Sequence, residues 1–340
     1  MDVVFMGADD LSCGFLDALL RTKDIRVRAI VTQPDRPSGR HLRLQPCAVR
    51  AMVLDQSLGI EVLTPTKINT PEVVTELAAI QADAFVIVAY GQFLGQRLLD
   101  IPTLGCLNMH LSLLPKLRGA APIVRSILNG LPETGVTAMK MDRGMDSGDL
   151  LGKSSTPISE EDTTESLTER LVALGGQLMV ETLRAMRDGT AKATPQDHSK
   201  STFAPKIQKD EWLIDWAEPA NVVCRAVRAF HPKPACTTFL PSNSNGKGLG
   251  PDQPGALLKV LRAEIADEID KDAPPGTVVS MAAGLVIAAG DGRGVRLLEV
   301  RPEGRPRGLT GAEFVNGYRQ KVREGDRFFP GLSSAVEGCS

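Results

Sequence analysis

Ala84-Phe-Val-Ile-Val-Ala89 is the stretch that decides the fold. A short, wholly apolar run rich in β-branched residues reads as a parallel strand covered on both faces. Strand patterns recur on either side of it at Val3–Met6, Arg26–Thr32, Gly105–Met109 and Thr134–Met141. Amphipathic helical stretches lie among them. Asp9 or Asp10 caps the first, which puts Leu11, Phe15, Ala18 and Leu19 on one face. Further helices are expected at Ala48–Gln56, from Pro71 (the first helical residue after Thr70) through Ile80, at Pro122–Leu128, and at Thr163–Met186 ending at Gly189. This alternation predicts an α/β layer fold, a doubly wound sheet rich in parallel strands, whose ligands gather beyond the carboxyl ends of the strands.

After Gly189 the pattern changes. Thr190–Lys209 is polar and aperiodic, holds Pro195 and Pro205, and reads as an interdomain linker. Beyond it come a helix at Pro219–Ala229 and short strands at Ala235–Leu240, Ala256–Ala263, Gly276–Ser280, Leu285–Ala289 and Val295–Val300, with Leu309–Tyr318 helical. Short strands at such spacing predict a small barrel. The expected organisation is a first domain over 1–189, a linker over 190–208, a second domain over 209–330 and a polar tail over 331–340.

The 340 residues carry a formal net charge of -2, with 42% hydrophobic and 24% charged positions, and on length alone about two domains are expected. That charge argues against a protein that coats nucleic acid through gross positive potential, although a local basic patch stays open. The apolar runs are too short for a bilayer span, and no leader pattern precedes Val3, so a cytoplasmic location is expected. The six cysteines form no C-x-x-C pair and read as reduced thiols; with only four histidines, no metal site is expected.

The chemistry concentrates in Asn108-Met-His110-Leu-Ser112-Leu-Leu-Pro115-Lys-Leu-Arg118-Gly119-Ala-Ala-Pro122 and in Asp142-Arg-Gly144-Met-Asp146-Ser-Gly148-Asp149. Asn108 and His110 are two apart at the carboxyl end of a strand, so both side chains face the same way. Asp146 falls in a glycine-rich turn after the next strand. An amide, an imidazole and a carboxylate together suit acyl or formyl transfer without a metal or a covalent nucleophile. In this reading Asn108 and an N–H of His110 donate to a developing oxyanion, and Asp146 orients the imidazole. The alternative for His110 is a satisfied structural histidine.

Other motifs carry less. Gly7-Ala-Asp-Asp-Leu-Ser-Cys-Gly14 fails the dinucleotide fingerprint, because Asp9 stands where a glycine must let pyrophosphate approach; a sharp turn into the first helix accounts for it. This weighs against a nicotinamide-dependent oxidoreductase. Gly246-Lys-Gly-Leu-Gly250 has no strand before it or helix after it and reads as loop. Asp35-Arg36-Pro37-Ser-Gly39-Arg40-His41-Leu-Arg43 is either a solvated loop or an exposed finger whose arginine forks bind phosphates. A purely RNA-binding module is disfavoured: aromatic residues make up only 4% of the chain, so the barrel lacks a stacking stripe.

These blocks resemble the methionyl-tRNA formyltransferases, from the first strand to about Pro330. The resemblance rests on Thr32-Gln-Pro-Asp-Arg-Pro-Ser-Gly-Arg40, Val88-Ala-Tyr-Gly91, the run from Asn108 to Ile123, Thr134-Gly-Val-Thr137, Met141-Asp-x-Gly-x-Asp-x-Gly-Asp149 and Ile214-Asp-Trp216. It implies a Rossmann-like formyltransferase domain joined to a small OB-like β-barrel that binds tRNA. The implied reaction moves a formyl group from 10-formyltetrahydrofolate to methionyl initiator tRNA, in a protein expected to be a monomer. By resemblance Asn108, His110 and Asp146 are catalytic. Ser112, Leu113, Leu114 and Pro115, with Val88, Tyr90 and Gly91, border the folate, and Arg40 meets the tRNA; Arg36 and Arg43 of the same basic loop are expected to join it through phosphates. The Asn/His/Asp core is shared with folate-dependent formyltransferases acting on a small amine or a sugar-nucleotide amine, which is the second reading. Two departures stand out: His41 and Leu42 follow Arg40 in place of small and basic residues, and Phe230-His-Pro-Lys-Pro234 carries Lys233 where a tryptophan is expected.

Overall fold

The computed structural model describes residues 1–38, 43–241, 255–266, 272–282 and 284–329, with only the backbone at Ser38 and Arg43. Two compact units divide the chain. One comprises Met1–Ile123, Pro132–Ile158 and Leu167–Pro205; the other comprises Val124–Leu131, Ser159–Ser166 and the residues from Lys206 on.

The elements run β1 (Asp2–Gly7), α1 (Asp10–Leu20), β2 (Arg26–Val31), β3 (Arg36–Ser38), β4 (Arg43–Gln45), α2 (Ala48–Asp55), β5 (Glu61–Leu63), α3 (Pro71–Ala79) and β6 (Ala84–Val88). They continue with α4 (Gln96–Leu99), β7 (Gly105–His110), α5 (Pro122–Leu128), β8 (Glu133–Lys140), β9 (Leu150–Pro157) and α6 (Thr164–Arg187). The first unit is built on a sheet of order β5-β2-β1-β6-β7-β8-β9. Strands β5 through β7 are parallel; β8 and β9 run antiparallel to their neighbours. β6 is buried at every position, as an apolar strand in mid-sheet must be. The order reverses between β2-β1 and β6-β7, so the crevice for ligands lies beyond the carboxyl ends of β1, β6 and β7. No helix among the described residues is long and apolar enough to cross a membrane.

The start of α1 meets the end of β1 closely. A Cβ on Gly7 would lie 2.7 Å from Ser12 Cβ, which accounts for glycine at this turn. Asp9 caps the helix, its Oδ1 accepting from the Ser12 N–H at 3.0 Å. The Ser12 hydroxyl lies 2.7 Å from Asp9 Oδ1 and 2.8 Å from the Val88 carbonyl, which joins this cap to the end of β6.

The second unit holds α7 (Ala220–Ala229), β10 (Cys236–Phe239), β11 (Leu257–Ala266), β12 (Val278–Ser280), β13 (Leu285–Ala288), β14 (Gly294–Pro302), β15 (Leu309–Thr310) and α8 (Gly311–Tyr318). Its antiparallel sheet has the order β10-β11-β14-β13-β12, with β15 on β14. Phe329 bridges to Phe239 at one edge and Arg327 to Thr277 at the other, so one extended segment ties both edges of the sheet. The result is the small barrel-like unit expected from the short strands. Trp216, Phe230, Phe314 and Phe328 fill its core, and the Trp216 indole N–H donates to Thr238 Oγ1 at 3.0 Å. The Leu309–Tyr318 stretch, expected to be helical throughout, begins with the two-residue β15 before the capping box of Thr310 and Glu313 opens α8. Most of the Pro241–Pro254 loop, Gly246–Gly250 and the tail lie outside the described residues.

Candidate active site

β7 delivers the first two groups. Its residues Asn108 and His110 pair with Met139 and Thr137 of β8, and Asn108 also with Ile87 of β6. Asn108 is half-buried, and its side-chain amide makes no hydrogen bond to any described residue. His110 is buried, and its ring is held: Nε2 lies 2.9 Å from the Leu117 carbonyl oxygen. A carbonyl can only accept, so Nε2 carries the proton and, in the neutral ring, Nδ1 carries the lone pair. Nδ1 faces Asp146, 3.6 Å from its Oδ2. The expected N–H toward a substrate oxygen is therefore already committed to Leu117, and the free ring nitrogen is an acceptor. In the protonated ring both N–H groups would have acceptors waiting, one carbonyl and one carboxylate.

Asp146 lies in the turn between β8 and β9 with a positive φ of 49°. Its Oδ2 also accepts from the Gly119 N–H at 2.8 Å. Gly119 has φ 114°, and a Cβ there would lie 2.8 Å from the Ala204 carbonyl oxygen, so the backbone conformation and the close approach of Ala204 at this position require glycine.

The loop Leu111–Ala121 is pinned from two directions. Thr137 Oγ1 donates to the Ser112 carbonyl at 2.6 Å and accepts from the Leu114 N–H at 3.1 Å. Lys153 donates to the Leu114 carbonyl, and burial pulls its ammonium below the usual lysine range. Residues 194–204, aperiodic in sequence, run along the same unit. Thr202 Oγ1 accepts from the Leu117 N–H at 2.9 Å, and Arg118 pairs its backbone with Thr202 and Ala204. Gln196 is buried beneath the Asp146 turn. Sequence reasoning named neither Gln196, His198, Thr202 nor Lys153, because no periodicity or motif marks them.

The residues expected near a folate differ in what they present. Val88 and Tyr90 are buried; the Tyr90 carbonyl accepts from Gln33 Nε2 at 2.9 Å, and its hydroxyl from Gln92 Nε2 at 3.4 Å. Burial pushes the Tyr90 phenol up to about 12. Ala89 and Gly91 both have positive φ, so this loop bends sharply at the end of β6, beside Asn108. Ser112 and Leu114 point inward, the Ser112 hydroxyl donating to the Lys116 carbonyl at 2.6 Å, whereas Leu113 and Pro115 are half-exposed.

Of the basic loop, Arg36 is exposed and donates to Gln33 Oε1 at 3.0 Å, and β3 and β4 form a short hairpin at its base. Arg40 lies outside the described residues, as does the side chain of Arg43. Among the described residues no group of three or more His, Cys, Asp or Glu side chains could hold a metal ion, and the five described cysteines are unpaired.

A partnerless amide, an imidazole of fixed tautomer and a carboxylate beyond the carboxyl end of a mid-sheet strand form an arrangement suited to group transfer onto an amine. Comparison with known proteins is more specific. A family model described as formyl transferase matches residues 2–183, and one described as formyl transferase, C-terminal domain, matches residues 206–319. The methionyl-tRNA formyltransferase of Thiobacillus denitrificans is 41% identical over 318 residues, covering 93% of this chain and 96% of its own. That of Pseudomonas paraeruginosa is 40% identical over 327 residues, covering 96% and 98%. The crystal structure of HypX from Aquifex aeolicus in complex with tetrahydrofolic acid superposes over 95% of this chain with a TM-score of 0.61 at 17% identity. This chain spans about half (48%) of HypX, and the likeness is one of fold. The chain belongs to the formyltransferase family, in the branch of the methionyl-tRNA formyltransferases.

Proposed function

We propose that this protein transfers the formyl group of 10-formyltetrahydrofolate to the α-amino group of methionine esterified to initiator tRNA, acting as a monomer in the cytoplasm. The observation that carries the reading is that His110 Nδ1 and Asp146 Oδ2 face each other at 3.6 Å, with the unpartnered Asn108 two positions earlier on β7. Near-complete coverage of relatives bearing that name supports the tRNA acceptor over a small amine.

The residues present fit a folate donor. Asn108 offers a free amide at the ligand end of the sheet, with the bent loop Val88–Gly91 beside it. Val88, Tyr90 and Gly91 would shape one wall through backbone and packing, and Leu113 and Pro115 would offer apolar surface, with Ser112 and Leu114 holding their loop from within. When bound, the folate supplies the formyl carbon.

The protein's own work is electrostatic and positional. A free α-amino group has a pKa of about 7.7 to 8, and esterification lowers it, so much of the acceptor is already nucleophilic near neutrality. Asn108 donates its N–H to the formyl oxygen as that oxygen gains charge; a donor of this kind contributes about 100- to 1000-fold in rate. As the amine nitrogen bonds to the formyl carbon, His110 Nδ1 takes the proton it releases and returns it to the departing folate nitrogen as the old C–N bond breaks. The Asp146 carboxylate stabilises the imidazolium in between, whose other N–H stays on Leu117. Arg36, Arg40 and Arg43 meet the tRNA backbone.

The test is direct. The protein is incubated with 10-formyltetrahydrofolate labelled in its one-carbon group and, in parallel, methionine-charged initiator tRNA, charged elongator tRNA or an amino-sugar nucleotide. Label on the methionine nitrogen of initiator tRNA is expected. Transfer only to the sugar amine would replace this reading with the second one.

A further inference from the structure

Gln196 sits at the crossing of the hydrogen bonds that hold the Asp146 turn. It is buried, and its side chain is fully engaged. Its Nε2 lies 2.9 Å from the Asp146 carbonyl and 2.7 Å from the Gly148 carbonyl, giving one proton to each. Its Oε1 accepts from Arg118 Nη2 at 2.6 Å. The same Nη2 lies 3.0 Å from His198 Nδ1; a guanidinium only donates, so that nitrogen is the acceptor. Arg118 and Gln196 are both 6% exposed, so these bonds are made in a shielded interior where a lost partner is costly.

The connectivity closes a circuit. The residue before Arg118 gives the carbonyl that holds His110, and the residue after it gives the N–H that holds Asp146. The Arg118 side chain orients Gln196, and Gln196 grips the Asp146 backbone from below. Asp146 needs that grip, because its positive φ is a conformation that aspartate adopts only at a cost.

We propose that Gln196, oriented by Arg118, is a positioning residue that holds the Asp146 turn so that its carboxylate faces His110 Nδ1. The importance of this for turnover rests on the functional reading above; the geometric claim does not. Gln196 is buried and meets Asp146 only at its backbone carbonyl, away from the carboxylate that faces His110. Its removal therefore affects the rate rather than the binding of either substrate. An error of about 1 Å in such a pair costs on the order of 100-fold.

The test uses the full chain with Gln196→Met, which keeps length and removes every hydrogen bond. Gln196→Glu is the second variant; it can still accept from Arg118 but turns an acceptor toward two carbonyls. Gln177→Met, at an exposed site on α6, is the control. Ring-nitrogen resonances of the four histidines are recorded without substrate, and His231 of the second unit serves as internal reference. Both Gln196 variants are expected to shift the His110 resonances, leave His231 in place and lower kcat about 10- to 100-fold, with KM for charged tRNA and folate within about 2-fold. Unmoved His110 resonances with kcat retained would overturn the proposal. So would a loss in which His231 moves as well and kcat and KM fail together, since that is general unfolding. If the wild type transfers no formyl group while the His110 resonances still respond, the functional reading fails and the positioning claim stands.

Discussion

His110 Nε2 and the Leu117 carbonyl oxygen, 2.9 Å apart and seven residues apart in sequence, anchor the imidazole by one nitrogen and leave Nδ1 turned to Asp146. The bond commits the Nε2 proton to the protein's own backbone. The other nitrogen, Nδ1, faces the Asp146 carboxylate at 3.6 Å, and in the proposed reaction it serves as the base while Asn108 donates to the formyl oxygen.

Replacing His110 by Ala is expected to lower turnover by at least about 100-fold while leaving folate affinity nearly intact. Single-turnover kinetics together with donor titration separate the two effects. Near-normal turnover would remove His110 from the reaction.

Asn108→Ala is expected to cost about 100- to 1000-fold in kcat with little change in thermal stability, because the amide bonds to no described residue. A large fall in melting temperature accompanied by a small rate effect would assign Asn108 to the fold instead.

Tyr90 gives a pH signature. Its phenol is raised to about 12 from the ordinary 10, so the folded state holds its proton where the unfolded state releases it. Its contribution is complete below pH 10 and is lost as the pH climbs toward 12. By two pKa units this amounts to about 3 kcal/mol. Wild type and Tyr90→Phe should therefore diverge in denaturant midpoint only above pH 10, with wild type falling faster. The difference between the absorbance titrations of wild type and Tyr90→Phe should show the Tyr90 phenolate forming late. Parallel stability curves from pH 8 to pH 11.5 would contradict this.

Arg40→Ala is expected to weaken tRNA binding and to flatten its salt dependence by about one unit of log–log slope, with folate affinity unchanged. An unchanged slope would leave the basic loop as solvated surface.

The parallel core was legible because β6 and β7 announce themselves by composition: Ala84–Val88 is apolar throughout, and Asn108 and His110 interrupt the next strand at the spacing that puts both on one face. Thr70 and Pro71 likewise marked the start of α3. β9 was not foreseen, because Lys153-Ser-Ser-Thr156 belongs to an exposed edge strand, where polar residues discourage further pairing and erase the alternation. The β3–β4 hairpin was read only as a shaped loop, since its strands are three residues each. Gln196 and the tautomer of His110 depend on contacts with residues remote in sequence and on the path of the Leu111–Ala121 loop, for which local pattern has no signature.

The tie between Phe329 and Phe239 also has a bearing on synthesis. Thr238, beside it, bonds to the Phe329 carbonyl across 91 positions of chain. Until those residues are made, the Phe239 end of β10 lacks this partner, although Thr237 is already paired with Trp212 and Ile214, and β12, once made, lacks its partners at residues 325–327. A polypeptide that stops short of Arg327 is therefore expected to leave the edge at residues 277–280 and the Phe239 end of β10 without these partners, positions at which a strand of another copy could pair.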